Sequence, residues 1–217
     1  MNILAFNGSP RKKWNTGTLL ENALEGARSK GAQGEMIHLY GVDFRGCTSC
    51  FECKKIGGKS YGRCAMKDGL TPILEKAAAA DALILGSPVY FGAETGEMRS
   101  FMERLMFPFL TYTPGYAPIT PKQMPTALFY TMNVKEQALE ELGYDKFIGR
   151  MQGVLTRTFG SCEVLLSTDT YQFSDYKKYL STVWDSEAKA KRREEVFPQD
   201  CAKAFSIGER LAAPLAM

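Results

Sequence analysis

Four of the six cysteines fall in one short run, CTSCFECKKIGGKSYGRC, residues 47–64. Cys47, Cys50 and Cys53 recur at every third position, so a compact turn can converge three sulfurs on one point. That C-x2-C-x2-C spacing is the ferredoxin-like arrangement around a cubane iron–sulfur cluster. Structural zinc more often takes two separated C-x2-C pairs, and the sequence has no second pair. In a reducing compartment, clustered thiols are metal-binding or redox-active more often than disulfide-bonded. From the run alone three readings stay open: a metal centre, a redox pair, or space-filling side chains. Cys162 falls in a strand-like stretch and reads as core, while Cys201 has no evident partner. His38, the single histidine, reads as a packed or surface residue rather than a catalyst.

A second chemical signal is FNGSPRKKWNTGTLL, residues 6–20, which follows a short apolar run. Gly8 permits a sharp turn. Ser9, Asn15, Thr16 and Thr18 offer hydroxyl and amide groups, and Arg11 and Lys12 bring positive charge. A helix starting near Gly17 presents free N–H groups that favour a phosphate by hydrogen bonding and dipole together. The stretch lacks both the triphosphate-binding G-x-x-x-x-G-K-[ST] and the dinucleotide-binding G-x-G-x-x-G, leaving a cradle for a single phosphate monoester. A third signal is GSPVYFGAETGEMRSFMERL, residues 86–105. Pro88 stiffens a turn, Tyr90 and Phe91 supply flat apolar surface, and Gly92 and Gly96 let backbone approach a ring. A phosphate cradle beside such a wall suits a flavin mononucleotide.

The elements that must position these groups follow from periodicity. NILAF (2–6), GEMIHLY (34–40), ALILG (82–86), TALFYT (126–131) and CEVLLST (162–168) read as five strands. Helical spacing joins Leu20, Ala23, Leu24 and Ala27, then Leu70, Ile73, Leu74 and Ala77, then Met98, Phe101, Met102 and Leu105. A further helix is expected around 135–151, and a helical tail over 185–217. Strands alternating with helices predict an α/β fold with a parallel sheet wrapped on both faces. In such a sheet, ligands bind beyond the carboxyl ends of the strands where the strand order reverses. A single domain over residues 1–217 is expected, with a cysteine-rich insertion at 44–66. The segment FPFLTYTPGYAPITPKQMP (107–125) is rich in proline and aromatics; it reads either as a lid or subunit-contact loop, or as an inert surface excursion.

Composition narrows the partners. Lys and Arg number 27 against 24 Asp and Glu, a net charge of +3 too small to argue for a nucleic-acid or membrane partner. The charge run EAKAKRREE (187–195) alternates in sign and reads as a solvated helix face. No apolar stretch reaches the roughly 18 residues of a membrane span. NILAF lacks a basic lead and is too short for a signal core, so a cytoplasmic location is expected.

GSPRKKWNTGTLL together with SPVYFGAETGEMRSFMERL closely resembles the NADPH-dependent FMN reductase group of flavodoxin-like proteins, which includes the iron–sulfur flavoproteins. DTYQFSDYKKY (169–179) looks like the segment after the last strand in many members. The resemblance implies a flavodoxin-like five-stranded parallel sheet and an FMN-dependent oxidoreductase. It implies NAD(P)H as donor and flavins, quinones or other small molecules as acceptors. Carried over by position, Ser9, Arg11, Asn15, Thr16, Gly17 and Thr18 would hold the phosphate. Pro88, Val89, Tyr90, Phe91 and Gly92 would line the isoalloxazine, with Thr131 and Asn133 at its pyrimidine edge. There TMN (131–133) replaces a usually glycine-rich turn, and Trp14 stands where a small residue is commoner. Iron–sulfur flavoproteins carry a similar cysteine run plus a fourth ligand, for which Cys64 is the local candidate. As an alternative reading, the resemblance implies a 4Fe–4S cluster on Cys47, Cys50, Cys53 and Cys64, fed by a ferredoxin-like donor. A non-enzymatic electron carrier or redox sensor is the third reading. A homodimer or homotetramer is implied as well.

Overall fold

The computed structural model describes residues 1–213, so residues 214–217 of the expected tail lie outside the described part. Its strands are β1 (Asn2–Asn7), β2 (Gln33–His38), β3 (Ala82–Tyr90), β4 (Ala93–Glu94), β5 (Met124–Thr131) and β6 (Gly160–Ser167). Its α-helices are α1 (Asn15–Ser29), α2 (Thr71–Ala79), α3 (Gly96–Met106), α4 (Tyr144–Phe159), α5 (Ser186–Glu195) and α6 (Phe197–Leu211). Five strands form a parallel sheet in the order β2-β1-β3-β5-β6, and β4 pairs antiparallel with the end of β3. This is the flavodoxin-like order, with its reversal point between β1 and β3.

Alternation along the strands builds a core on each face. Leu4 and Phe6 of β1, Leu83 and Leu85 of β3, and Leu128 and Tyr130 of β5 pack against α3 and α4. Ile3 and Ala5, Ala82 and Ile84, and Ala127 and Phe129 face the other way, toward α1 and α6. A sheet buried on both sides must be apolar at every position, so these strands read as continuous runs rather than alternating ones. The C-terminal segment is part of this architecture. A Cβ at Gly26 would lie 2.0 Å from the Phe205 carbonyl oxygen, and one at Gly208 would lie 1.8 Å from that of Ala23. Glycine at both positions is what lets α1 and α6 touch backbone to backbone.

Three expectations shift. The helix expected around 135–151 is a short 3₁₀ turn at Glu136–Ala138 followed by α4, which starts only at Tyr144. Gly143 adopts the left-handed conformation (φ 72°) and restarts the chain, so the apolar stripe runs Ile148, Met151, Leu155, Phe159. Strand β3 continues to Tyr90, carrying the sheet into the GSPVY stretch. The run 187–195 is no uniformly solvated face: Lys189 is buried, and Arg192 pairs with buried Asp200 at 2.7 Å. Among the described residues, no helix is long and apolar enough to cross a membrane.

Candidate active site

The turn after β1 is shaped by its own side chains. Asn7 Oδ1 accepts from the Ser9 N–H at 2.9 Å, and Ser9 Oγ accepts from the Arg11 N–H at 3.2 Å. The Gly8 N–H donates to the Gly86 carbonyl at 2.8 Å, which fixes the turn against β3. Gly17 lies inside α1 rather than at its start; a Cβ there would sit 2.0 Å from the Lys12 carbonyl oxygen. Trp14 at the N-cap makes no side-chain capping bond, and the first turn of α1 carries no acidic residue. The helix therefore keeps donors and a positive dipole end available to an anion. His38 supports the turn from behind, its Nδ1 3.2 Å from Asn7 Nδ2. Because the amide nitrogen only donates, Nδ1 is the acceptor and the proton sits on Nε2. Burial, with Lys12 adding to it, lowers the pKa of this imidazole below the ordinary histidine value.

The second wall is the tight hairpin between β3 and β4. Val89 pairs with Glu94 and Tyr90 with Ala93, leaving Phe91 and Gly92 as the two turn residues. Both have positive φ, 51° and 76°, as a two-residue hairpin of this kind requires. Glycine takes that conformation freely. Phenylalanine takes it under strain, and Phe91 is fully exposed. Beneath the hairpin the Tyr130 hydroxyl donates to buried Glu94 Oε1 at 2.6 Å. Burial and the adjacent carboxylate push the phenol far above its usual range, so it remains a donor at any working pH.

The third wall comes from the ends of β5 and β6. Thr131 Oγ1 lies 2.8 Å from Thr16 Oγ1, joining the end of β5 to the first turn of α1. Three donors of the β1–α1 turn hold the 171–172 backbone. Arg11 reaches the Gln172 carbonyl at 2.8 Å, and Trp14 Nε1 and Asn15 Nδ2 reach that of Tyr171 at 3.2 and 3.0 Å. Arg193 of α5 donates to Asn15 Oδ1 at 2.7 Å, so the Asn15 amide is engaged at both ends.

These walls enclose a cleft of about 400 Å³. Ser9, Arg11, Asn15 and Thr16 line it on one side, Pro88, Val89, Tyr90 and Phe91 on another, and Thr131 and Asn133 on the third. Gly17, Thr18 and Gly92 are not among its lining residues. Trp14, Met132, Thr170, Gln172 and Trp184 also line it and were not singled out from the sequence as ligand contacts. Such a cleft can take a phosphate at the helix end and a flat ring against the hairpin. No residue of 107–125 lines it. That segment packs elsewhere: Phe109 enters the core, and Lys54 Nζ donates to the carbonyls of Phe107, Pro108 and Leu110. A larger cavity of about 630 Å³ lies between this segment, α2 and the cysteine loop. Its walls are mainly apolar, and of the residues expected to bind a cofactor or metal only Cys64 reaches it.

Cys47, Cys50, Cys53 and Cys64 all line one small cavity of about 20 Å³. Ser49 and Phe51, on either side of Cys50, have φ of 52° and 56°, a strained path for non-glycine residues. The long excursion to Cys64 folds back through left-handed Gly57 and Gly62, and the Gly62 N–H donates to the Cys53 carbonyl at 3.0 Å. Fully buried Arg104 donates from Nε to Cys64 Sγ at 3.3 Å and makes a two-pronged pair with Asp68. Burial pushes the Cys53 thiol up. In kind and number, four thiols suit a cluster. The loop is closed down around them: the cavity has room for about one water, and among the described residues no group of three or more His, Cys, Asp or Glu is arranged to hold a metal ion.

Comparison with known proteins bears on the family and the fold. An iron–sulfur flavoprotein of Archaeoglobus fulgidus is 39% identical over 104 residues, 48% of this chain and 48% of that protein. Another, from Methanocaldococcus jannaschii, is 36% identical over 104 residues, 48% of this chain and 51% of that protein. The matched region thus spans about half the length of these curated relatives. Among solved structures, an NAD(P)H:quinone oxidoreductase from Methanothermobacter marburgensis superposes with a TM-score of 0.68 at 17% identity, covering 97% of this chain and 98% of that one. An FMN-dependent NADH-azoreductase from Bacillus anthracis, solved with FMN, gives 0.66 at 13% identity, covering 98% and 100%. At such low identity these two likenesses establish the fold. Residues 1–127 match the profile of NADPH-dependent FMN reductases, and the chain belongs to that family.

Proposed function

We propose that the chain binds one FMN in the 400 Å³ cleft and uses it as an oxidoreductase, taking electrons from NAD(P)H and passing them to quinones, flavins or similar small acceptors. One observation carries this reading: the β1–α1 turn and the 88–92 hairpin, found separately in the sequence, open onto the same cleft. The residues present fit such a group. The uncapped first turn of α1, with Ser9, Arg11 and Thr16, suits the phosphate. Gly17 keeps that turn close to the Lys12 carbonyl, and Thr18 continues it. Pro88, Val89, Tyr90 and Phe91 suit one face of the ring, with Gly92 turning the hairpin that presents them. Asn133 Nδ2, buried and unpartnered, suits a ring carbonyl at its pyrimidine edge. FMN would supply hydride acceptance and release of one or two electrons. The protein's part is to hold the phosphate, shield a ring face and set the ring's hydrogen bonds. The exposed, strained Phe91 suits a contact between copies of the chain, and a homodimer or homotetramer in the cytoplasm is part of the proposal. The test is steady-state turnover of flavin-loaded protein with NADH and NADPH. Flavin reduction without turnover would favour an electron carrier or redox sensor.

A second reading, an iron–sulfur flavoprotein taking single electrons from a ferredoxin-like donor, rests on the four cysteines around one cavity. It requires the loop at 47–64 to open around a 4Fe–4S cluster. Anaerobic analysis for iron and sulfide after reconstitution decides it: about four of each per chain supports the reading, and none removes it.

A further inference from the structure

Helix α5 sends one side chain in behind the cleft, against the lining residue Asn133. Lys189 lies within the charged run 187–195, yet it is only 4% exposed. Its Nζ donates to Asn133 Oδ1, to Asp169 Oδ1 and, at 3.4 Å, to the Asn133 backbone carbonyl. An ammonium has three donors and no acceptor, so these three bonds exhaust it. The same fact settles which way the Asn133 amide points. The atom facing Lys189 must be the oxygen, so Nδ2 is directed away from it. Nδ2 is buried and has no partner among the described residues. Native proteins rarely leave such a donor unmet.

The surroundings hold this arrangement in place. Asp185 caps α5, accepting from the Glu187 and Ala188 N–H groups at 2.9 and 3.2 Å, which fixes the first turn that carries Lys189. Asp169 is kept at a φ of 50°, unusual for a non-glycine residue, while its N–H donates to the Val134 carbonyl at 2.8 Å. The Thr170 N–H donates to the Met132 carbonyl at 2.9 Å. Two loop tips are thus stitched together by backbone bonds, with one ammonium between them. Asn133 and Thr170 belong to the cleft lining.

We infer that Lys189 is a positioning residue: it fixes the Asn133 amide so that Nδ2 presents its N–H to a carbonyl of the flavin ring. This rests on the FMN reading. Reduction makes the ring carbonyls more electron-rich and so better acceptors. A donor fixed in advance therefore favours the reduced ring over the oxidised one. Lys189 touches neither the ring nor a substrate, and its effect passes through Asn133.

The experiment compares parent, Lys189→Met and Asn133→Asp. Each is titrated with oxidised FMN and with riboflavin, its midpoint potential is measured, and folding is followed by circular dichroism. Lys189→Met releases the amide; Asn133→Asp keeps an acceptor for Lys189 and removes the donor. Both variants are expected to bind FMN and riboflavin more weakly by about threefold to tenfold, the range of one lost hydrogen bond. Both are expected to lower the reduced-to-oxidised affinity ratio by about tenfold, a fall of about 30 mV for a two-electron couple. Should Lys189→Met fail to fold, Asn133→Asp alone decides. Unchanged potentials in the folded variants overturn the inference even if melting temperatures drop, because that pattern marks a purely structural staple. A parent that takes up no FMN overturns the flavin reading, and the inference with it.

Discussion

The Thr95 hydroxyl donates to the Gly8 carbonyl at 2.7 Å, joining the hairpin side of the cleft to the turn after β1. The same oxygen accepts from the Met98 N–H at 3.4 Å as the cap of α3, and the Thr95 N–H donates to Ser87 Oγ at 3.1 Å. One buried side chain thus sets the distance between the two loops that form the proposed ring and phosphate sites.

Thr95→Val keeps the shape and removes the hydroxyl's bonds to the Gly8 carbonyl and the Met98 N–H. A loss of about 1–3 kcal/mol in denaturant stability is expected, combining a lost cap with an unsatisfied buried carbonyl. FMN affinity should fall with it. Stability and affinity both equal to the parent's would mean that Thr95 does not couple the loops.

Gly17→Ala tests the close approach in the β1–α1 turn. The added methyl carbon meets the Lys12 carbonyl at 2.0 Å, and a backbone oxygen cannot swing aside. Overpacking of this kind costs about 1–3 kcal/mol and displaces the turn. Flavin uptake is expected to drop sharply while far-ultraviolet circular dichroism stays α/β. Parent-like uptake would show that the turn has room to spare.

Asp68 gives a pH signature. Its hydrogen bonds from Arg104, the largest effect, hold its carboxyl below the ordinary value. A depressed folded pKa adds stability that is fully present above the unfolded carboxylate pKa and is lost as pH falls through the folded one. Thermal melts across that acidic window should therefore fall more steeply for the parent than for Asp68→Asn. Parallel curves would deny the pair this role. At neutral pH Asp68→Asn should cost about 3–5 kcal/mol relative to parent, because it leaves the fully buried Arg104 guanidinium without its carboxylate.

The cysteine loop and the cleft share no lining residue. Cys50→Ser should therefore leave FMN stoichiometry and affinity at parent values, whatever the loop binds. A flavin titration on that variant checks this; weakened FMN binding would show that the two regions are coupled.

Much of the fold is legible in the sequence because a doubly covered sheet writes itself as short apolar runs, and α1 to α3 keep clear helical stripes. The β1–α1 turn is legible because Gly8, Ser9 and Arg11 carry their chemistry within a few positions. The start of α4 is not, since Gly143 resets a stripe that looks continuous across it. Lys189 and Arg193 are harder still. Alternating charges look solvated, and nothing local to 187–195 announces partners as distant as Asn133 and Asn15. Those bonds are tertiary: α6 packs on α1 through Gly26 and Gly208, and α5 leads directly into α6. The spacing of the cysteines shows that they can converge, but not how closely the loop lets them.

The most direct test of the account is a calorimetric titration of the flavin-free protein with FMN and with riboflavin, repeated on Arg11→Ala/Thr16→Ala. The expected result is one FMN per chain, with the double variant weakened by about 2–5 kcal/mol, or about 30-fold to several thousand-fold, as two phosphate contacts, one of them charge-assisted, are lost. Riboflavin, which has no phosphate, should lose much less affinity than FMN on going from parent to variant. No FMN uptake by the parent, or equal FMN affinity in parent and variant, would contradict the assignment of the cleft.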